Sequence, residues 1–147
     1  MFYLYTDGAC RPNPGRGAWA FMLMRNGDRI IQQGYEPHAT NNKMELWAVL
    51  QGLRCFSDHP DFKDDQLLLY SDSKYIVDGI EIWRKVWAKN NWCKKNGRSI
   101  LNKGVWRDIH KLADSINLQC YHVKGHSGHK YNEQVDELAS QMIKKCS

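Results

Sequence analysis

The alternation of apolar and polar positions begins at once. Phe2 to Thr6 is short and rich in aromatic and aliphatic residues, which predicts a first strand, and Gly17 to Met24 is a second apolar run. Arg25-Asn26-Gly27-Asp28 between runs is a hairpin signal, because Asn-Gly accepts the positive φ angles of a two-residue turn; Arg29 to Tyr35 then pairs back as a third strand. From Asn42 the period becomes helical, with Leu46, Val49, Leu50 and Leu53 on one face and cap side chains offered by Thr40 to Asn42. Gln66 to Tyr70 is a continuous apolar strand expected to be buried on both faces. Ser73 to about Asn90 reads as helical with a break at Gly79, and Asn90 to Lys103 as a polar, basic loop. Ile109, Leu112, Ala113 and Ile116 mark another helix, and Leu118 to Val123 a last strand. Lys124 to Tyr131 is a Gly- and His-rich loop, and Val135, Leu138, Ala139 and Met142 give a final helix capped by Asn132.

The order β-β-β-α-β-α-α-β-α predicts an α/β protein: three antiparallel strands, two parallel additions reached by right-handed crossovers, and helices on the sheet's faces. A chain of 147 residues suits one domain, expected over residues 1–147, and shows no repeat or linker.

Charge adds a handle. Lys and Arg outnumber Asp and Glu by 21 to 16, for a net charge of +5. From Arg84 to Arg107 eight basic residues occur without an acidic one, interleaved with Trp87, Trp92 and Trp106 and preceded by Trp83. Basic groups contact phosphates and tryptophans stack on bases or sugars, so this stretch is a candidate nucleic-acid surface. Helical spacing of Ile76, Ile80, Trp83 and Trp87 equally allows the tryptophans a core role. Five irregularly spaced cysteines without a Cys-x-x-Cys pair read as reduced thiols. With no visible secretory signal and no apolar run near the ~20 residues of a membrane span, a cytoplasmic location is the expectation.

Four carboxylates stand out. Asp7 ends the first strand, Asp72 ends the fourth, Glu45 borders the apolar face of its helix and Asp136 lies in the first turns of the last. Ligands of open α/β sheets collect outside the C-terminal ends of strands. If strands one and four are parallel neighbours, Asp7 and Asp72 emerge side by side, and hard divalent cations would relieve their repulsion. Each has an ordinary reading as well: Asp7 as a turn residue, Asp72 as a cap, Glu45 as capping-box partner of Asn42, Asp136 as a dipole complement. His126, between glycines, suits proton transfer on an exposed loop. Those glycines, and the lack of a nearby thiolate, argue against zinc at His122, His126 and His129.

These stretches resemble ribonuclease H, type 1, in its bacterial form. The resemblance is carried by Tyr5-Thr6-Asp7-Gly8-Ala9-Cys10 with Asn13-Pro14-Gly15, by Thr40-Asn41-Asn42-Lys43-Met44-Glu45-Leu46 and by Ser71-Asp72-Ser73-Lys74-Tyr75. Val123 to His129 and Asn132-Glu133-x-x-Asp136-Glu137-Leu138-Ala139 complete it, in the family's order. It implies a ribonuclease H-like fold with a five-stranded mixed sheet, and an endonuclease cutting the RNA strand of RNA–DNA hybrids to leave 5′-phosphate and 3′-hydroxyl ends. By motif, Asp7, Glu45, Asp72 and Asp136 resemble the metal-binding catalytic carboxylates, and His126 the loop histidine that aids proton transfer or product release. Two Mg²⁺ ions are implied, with Mn²⁺ as a substitute. Cys10, Asn13, Asn41 and Asn42 resemble contacts to the RNA strand, Thr40 and Asn102 those to a DNA phosphate, and Trp83 the channel tryptophan under the DNA. The stretch at about 81–104, with Lys85, Lys89, Lys94 and Lys95, resembles the basic protrusion. Lys74 stands where relatives commonly carry Gln, and His38 where an Arg often completes the DNA-phosphate pocket. A monomer without an obligate protein partner is expected. The other class of function is a non-catalytic hybrid-binding module.

Overall fold

The structure is a computed structural model, and it describes residues 1–62, 64–124 and 129–146. Strands β1 (Phe2–Cys10), β2 (Gly15–Arg25) and β3 (Asp28–Ala39) precede helix α1 (Asn41–Asp58) and strand β4 (Gln66–Ser71). A single helical course then runs through α2 (Lys74–Asp78), a π-turn (Gly79–Trp83) and α3 (Arg84–Lys89). Helix α4 (Lys103–Asp114), strand β5 (Asn117–His122) and helix α5 (Lys130–Lys145) follow. The sheet order is β3-β2-β1-β4-β5. β1, β2 and β3 pair antiparallel, whereas β4 lies parallel to β1 and β5 parallel to β4. This is the expected mixed sheet.

Local chemistry sets the boundaries. Asn26 and Gly27 take φ of 51° and 88°, which makes the two-residue turn between β2 and β3. The Thr40 hydroxyl accepts from Lys43 N at 3.2 Å and caps α1, so Asn42 and Glu45 do not form a capping box. The alternation of strand side chains feeds two cores. Phe2, Leu4, Phe21 and Leu23 pack with Leu46, Val49, Leu50 and Leu53 of α1 and with Trp106 and Ile109 of α4. Tyr5, Ala18, Ala20 and Met22 meet Val135, Ala139 and Ile143 of α5 on the opposite face.

Several expectations are corrected. Asp7 does not end its strand: β1 continues to Cys10 because β2 still pairs with it there. Strand β3 runs on to Ala39, and β5 spans Asn117–His122. Gly79 is no break. A Cβ there would stand 2.1 Å from Cη2 of Trp106, so the glycine admits the indole while the helix absorbs one wide turn. Asn132 lies inside α5, whose N-cap position is His129 without a side-chain cap bond, and its side chain is buried. Trp92 and Trp106 belong to the core, whereas Trp83 is 47% exposed. Among the described residues no helix is long and apolar enough to cross a membrane.

Candidate active site

The carboxylates reach one place from four elements. In the β1–β4 ladder Leu4 faces Leu69 and Tyr5 faces Tyr70. Two residues further along each chain come Asp7 and Asp72, so the parallel register brings both to the same end of the sheet. α1 supplies Glu45 by crossing β1 closely at Gly8. A Cβ on Gly8 would lie 2.3 Å from Glu45 N and 2.3 Å from Met44 C, both backbone atoms. Asp7, Glu45 and Asp72 each offer an oxygen within 4.8 Å of the others. Asp136, from the second turn of α5, is within hydrogen-bonding reach of the Asp7 carboxyl. All four line a cleft of about 350 Å³ with Cys10, Arg11, Asn41, Asn42 and Ser73.

The electrostatics follow from this crowding. Burial, then the charges of Glu45 and Asp72, push the Asp7 carboxyl well above the usual carboxylate range. Glu45 is also raised, by burial first and then by Asp72, against hydrogen bonds from Asp7 and the Gly8 backbone that favour its charged form. Its Oε2 is buried without a hydrogen-bond partner. An orphaned oxygen and several hard oxygen donors in one cleft fit divalent cations such as Mg²⁺, which take oxygen ligands and keep some waters.

The remaining candidates divide. Cys10 lines the cleft but is buried, with its thiol donating to the carbonyls of Pro12 and Ala39 at 3.2 Å each. Asn13 Oδ1 accepts from Asn41 N at 3.2 Å, which ties the β1–β2 loop to the start of α1. His38 and Thr40 share a second cleft of about 430 Å³ with Lys43, Pro14 and Gly15. Asn102 does not line that cleft; it precedes α4 in a left-handed conformation, φ 59°. Lys74 is exposed at the first turn of α2, beside Ser73, whose hydroxyl caps that helix. Lys85, Lys89, Lys94 and Lys95 are exposed, whereas Arg84 is buried in an ion-pair network. Trp83 stacks on Trp87 with ring centroids 6.5 Å apart. His126 lies outside the described residues.

Two cleft features escaped the reading of the sequence. Gly8 was legible as an isolated glycine within a strand pattern, a sign of close backbone approach. Arg11, whose Nη2 donates to Ser140 Oγ at 3.1 Å, gave no signal, because its partner is 129 residues away. Outside the cleft, His122, weighed in the sequence only as a zinc ligand, sets its Nε2 3.1 Å from the Asp72 carbonyl.

Fold and cleft define an α/β protein with an acidic pocket suited to divalent cations at the end of its parallel strand pair. Comparison with known proteins narrows the class. The RNase H family model matches residues 1–144. A ribonuclease H of Chlorobium limicola is 42% identical over 145 residues, covering 98% of this chain and 96% of the relative. One from Legionella pneumophila (strain Lens) is 39% identical over 144 residues, covering 98% and 97%. The crystal structure of LC9-RNase H1, a type 1 RNase H with the type 2 active-site motif, superposes with a TM-score of 0.83 at 27% identity, over 99% of this chain and 73% of that one. LC11-RNase H1, crystallised in complex with an RNA/DNA hybrid, shares the fold at a TM-score of 0.75 and 20% identity, over 99% of each chain. The chain belongs to the RNase H family. It is an enzyme of the ribonuclease H type, a hydrolase.

Proposed function

We propose that this enzyme hydrolyses the RNA strand of RNA–DNA hybrids with two Mg²⁺ ions, replaceable by Mn²⁺, and leaves 5′-phosphate and 3′-hydroxyl ends. The observation that carries the reading is the gathering of Asp7, Glu45 and Asp72 within 4.8 Å, with Asp136 on the same cleft. The relatives' shared name and the hybrid in the LC11-RNase H1 crystal support the substrate.

Asp7, Glu45, Asp72 and Asp136 hold the cations. When bound, the ions polarise the attacking water and offset charge on the leaving 3′-oxygen. Asn41 and Asn42, at the cleft edge, present amides able to bond a ribose 2′-hydroxyl, the group that separates RNA from DNA. Cys10 shapes the cleft floor, and Asn13 holds the turn that carries Asn41. His126 moves a proton to or from the reacting oxygens. His38, Thr40 and Asn102 serve the DNA phosphate, and Lys74 adds a positive charge beside Asp72. Trp83 and the four exposed lysines at 85, 89, 94 and 95 hold the hybrid's backbone.

The test is cleavage of end-labelled RNA–DNA hybrid with and without Mg²⁺, beside RNA duplex, DNA duplex and single strands. Fragments of the hybrid's RNA strand alone, bearing 5′-phosphates and only in the presence of metal, are expected. Binding without cleavage in either metal would identify a non-catalytic binding module instead.

A further inference from the structure

The basic segment rests on one histidine at two points, its first residue and the turn after α3. Arg84, the first residue of α3, is 7% exposed although it stands at the head of a run of exposed cations. Its Nε donates to the Ile80 carbonyl at 2.7 Å, across the π-turn. Its Nη1 donates to Asp114 Oδ1 at 2.7 Å and meets His110 Nδ1 at 2.9 Å. A guanidinium has only donors. His110 Nδ1 must therefore accept, which leaves the ring's single proton on Nε2, 3.4 Å from Asp114 Oδ2. The same ring meets Trp92 edge-on, with centroids 5.5 Å apart and planes at 72°. Trp92 is the hook of the turn after α3: its N–H donates to the Trp87 carbonyl at 2.7 Å and its carbonyl accepts from Ile100 N at 3.0 Å. One imidazole on α4 thus touches the first residue of α3 and the turn that follows it. Between those two points Lys85 and Lys89 are exposed, and Trp87, packed on Trp106 beneath, stacks on the exposed Trp83.

Resting on the proposed reading of this segment as the hybrid-binding surface, we propose that His110, as the Nε2-protonated neutral tautomer, is a positioning residue for substrate binding. It orients α3 through Arg84 and the Trp92 turn through its own edge-on contact with the indole. Asp114, which the Arg84 hydrogen bond holds below the usual carboxylate range, completes the brace but is largely exposed. Arg84 itself spends its charge inside the protein and does not reach a phosphate. His110 is apart from the carboxylate cleft, so its influence belongs in KM and not in kcat.

The experiment measures KM and kcat for Mg²⁺-supported hybrid cleavage, with anisotropy of labelled hybrid in Ca²⁺ as a binding measurement, for the full chain and three variants. His110→Ala is expected to raise KM and Kd about tenfold with kcat within twofold. His110→Asn, whose amide oxygen can stand where Nδ1 stood, restores most of the affinity. Arg84→Lys keeps the charge but cannot make the forked contacts, and it should resemble His110→Ala. In ¹⁵N spectra of the imidazoles, His110 of the wild-type protein is expected as the Nε2–H tautomer. Unchanged KM in His110→Ala, an equal defect in His110→Asn, a fall in kcat alone, or an Nδ1–H tautomer would each overturn the assignment. The spectrum decides even if His110→Ala does not fold. Wild-type protein that neither binds nor cleaves hybrid would remove the proposed function together with this inference, whereas normal wild-type cleavage with indifferent variants would remove only the inference.

Discussion

At Asp7 a single side chain carries both the proposed metal role and electrostatic strain. Its carboxyl is raised by burial and by two neighbouring carboxylates. A carboxyl raised in the folded state binds its proton more tightly there than in the unfolded chain. The metal-free fold therefore loses stability as pH climbs from the ordinary carboxylate pKa towards the raised value. Asp7→Asn should melt several degrees above wild type in EDTA at pH 7 to 8, with the gap narrowing towards pH 4; thermal scans across that range test it, and a lower melting point would contradict it. The same variant should lose about 10³-fold or more in kcat, the scale of several kcal/mol of lost metal-derived stabilisation. Hybrid binding in Ca²⁺ should stay near normal. Single residues were also where the sequence was least legible. Asp7, Glu45, Asp72 and Asp136 each had an ordinary structural reading; strand ends paired Asp7 with Asp72, and the resemblance joined all four. Arg84 looked like one more surface cation, because a linear run of charge does not reveal that His110 and Asp114 lie beneath it.

Elements were easier to read than their contacts. The Asn-Gly hairpin, the helical period of α1 and the apolar run of β4 are local signals, and each element forms where its signal lies. The need for glycine at position 79, inside the π-turn, is not local: the Trp106 indole that occupies the space of a Cβ comes from another helix. The β1–α1 crossing at Gly8 is of the same kind and yields a sharp test. Gly8→Ala sets a methyl against two backbone atoms that cannot rotate away. It should cost at least about 1–3 kcal/mol by chemical denaturation and weaken Mg²⁺ binding by calorimetry, since Asp7 and Glu45 are pushed apart. The basic segment makes a different prediction. Neutralising Lys85, Lys89, Lys94 and Lys95 together should weaken hybrid binding and flatten its dependence on salt by up to roughly 0.9 log units per lost phosphate contact. An unchanged slope would return these lysines to the solvated surface.

Across the whole molecule, sheet order and acidic cleft are one structure. Because the cleft draws on β1, α1, α5 and the residue after β4, Mg²⁺ should bind the native state alone and raise its stability by about 2.7 kcal/mol at a hundredfold excess over Kd. A melting temperature indifferent to Mg²⁺, or one that rises equally in Asp7→Asn, would separate the cleft from the metal. The overall order of strands and helices was legible because alternation and helical period survive in one dimension. The ladder of Leu4 with Leu69 and Tyr5 with Tyr70 was not, although it decides which acids become neighbours. That ladder has a consequence for assembly of the fold. A chain in which β4 has yet to dock beside β1 offers divalent ions only scattered acids, so ion uptake during refolding is a clock for closure of the sheet's centre.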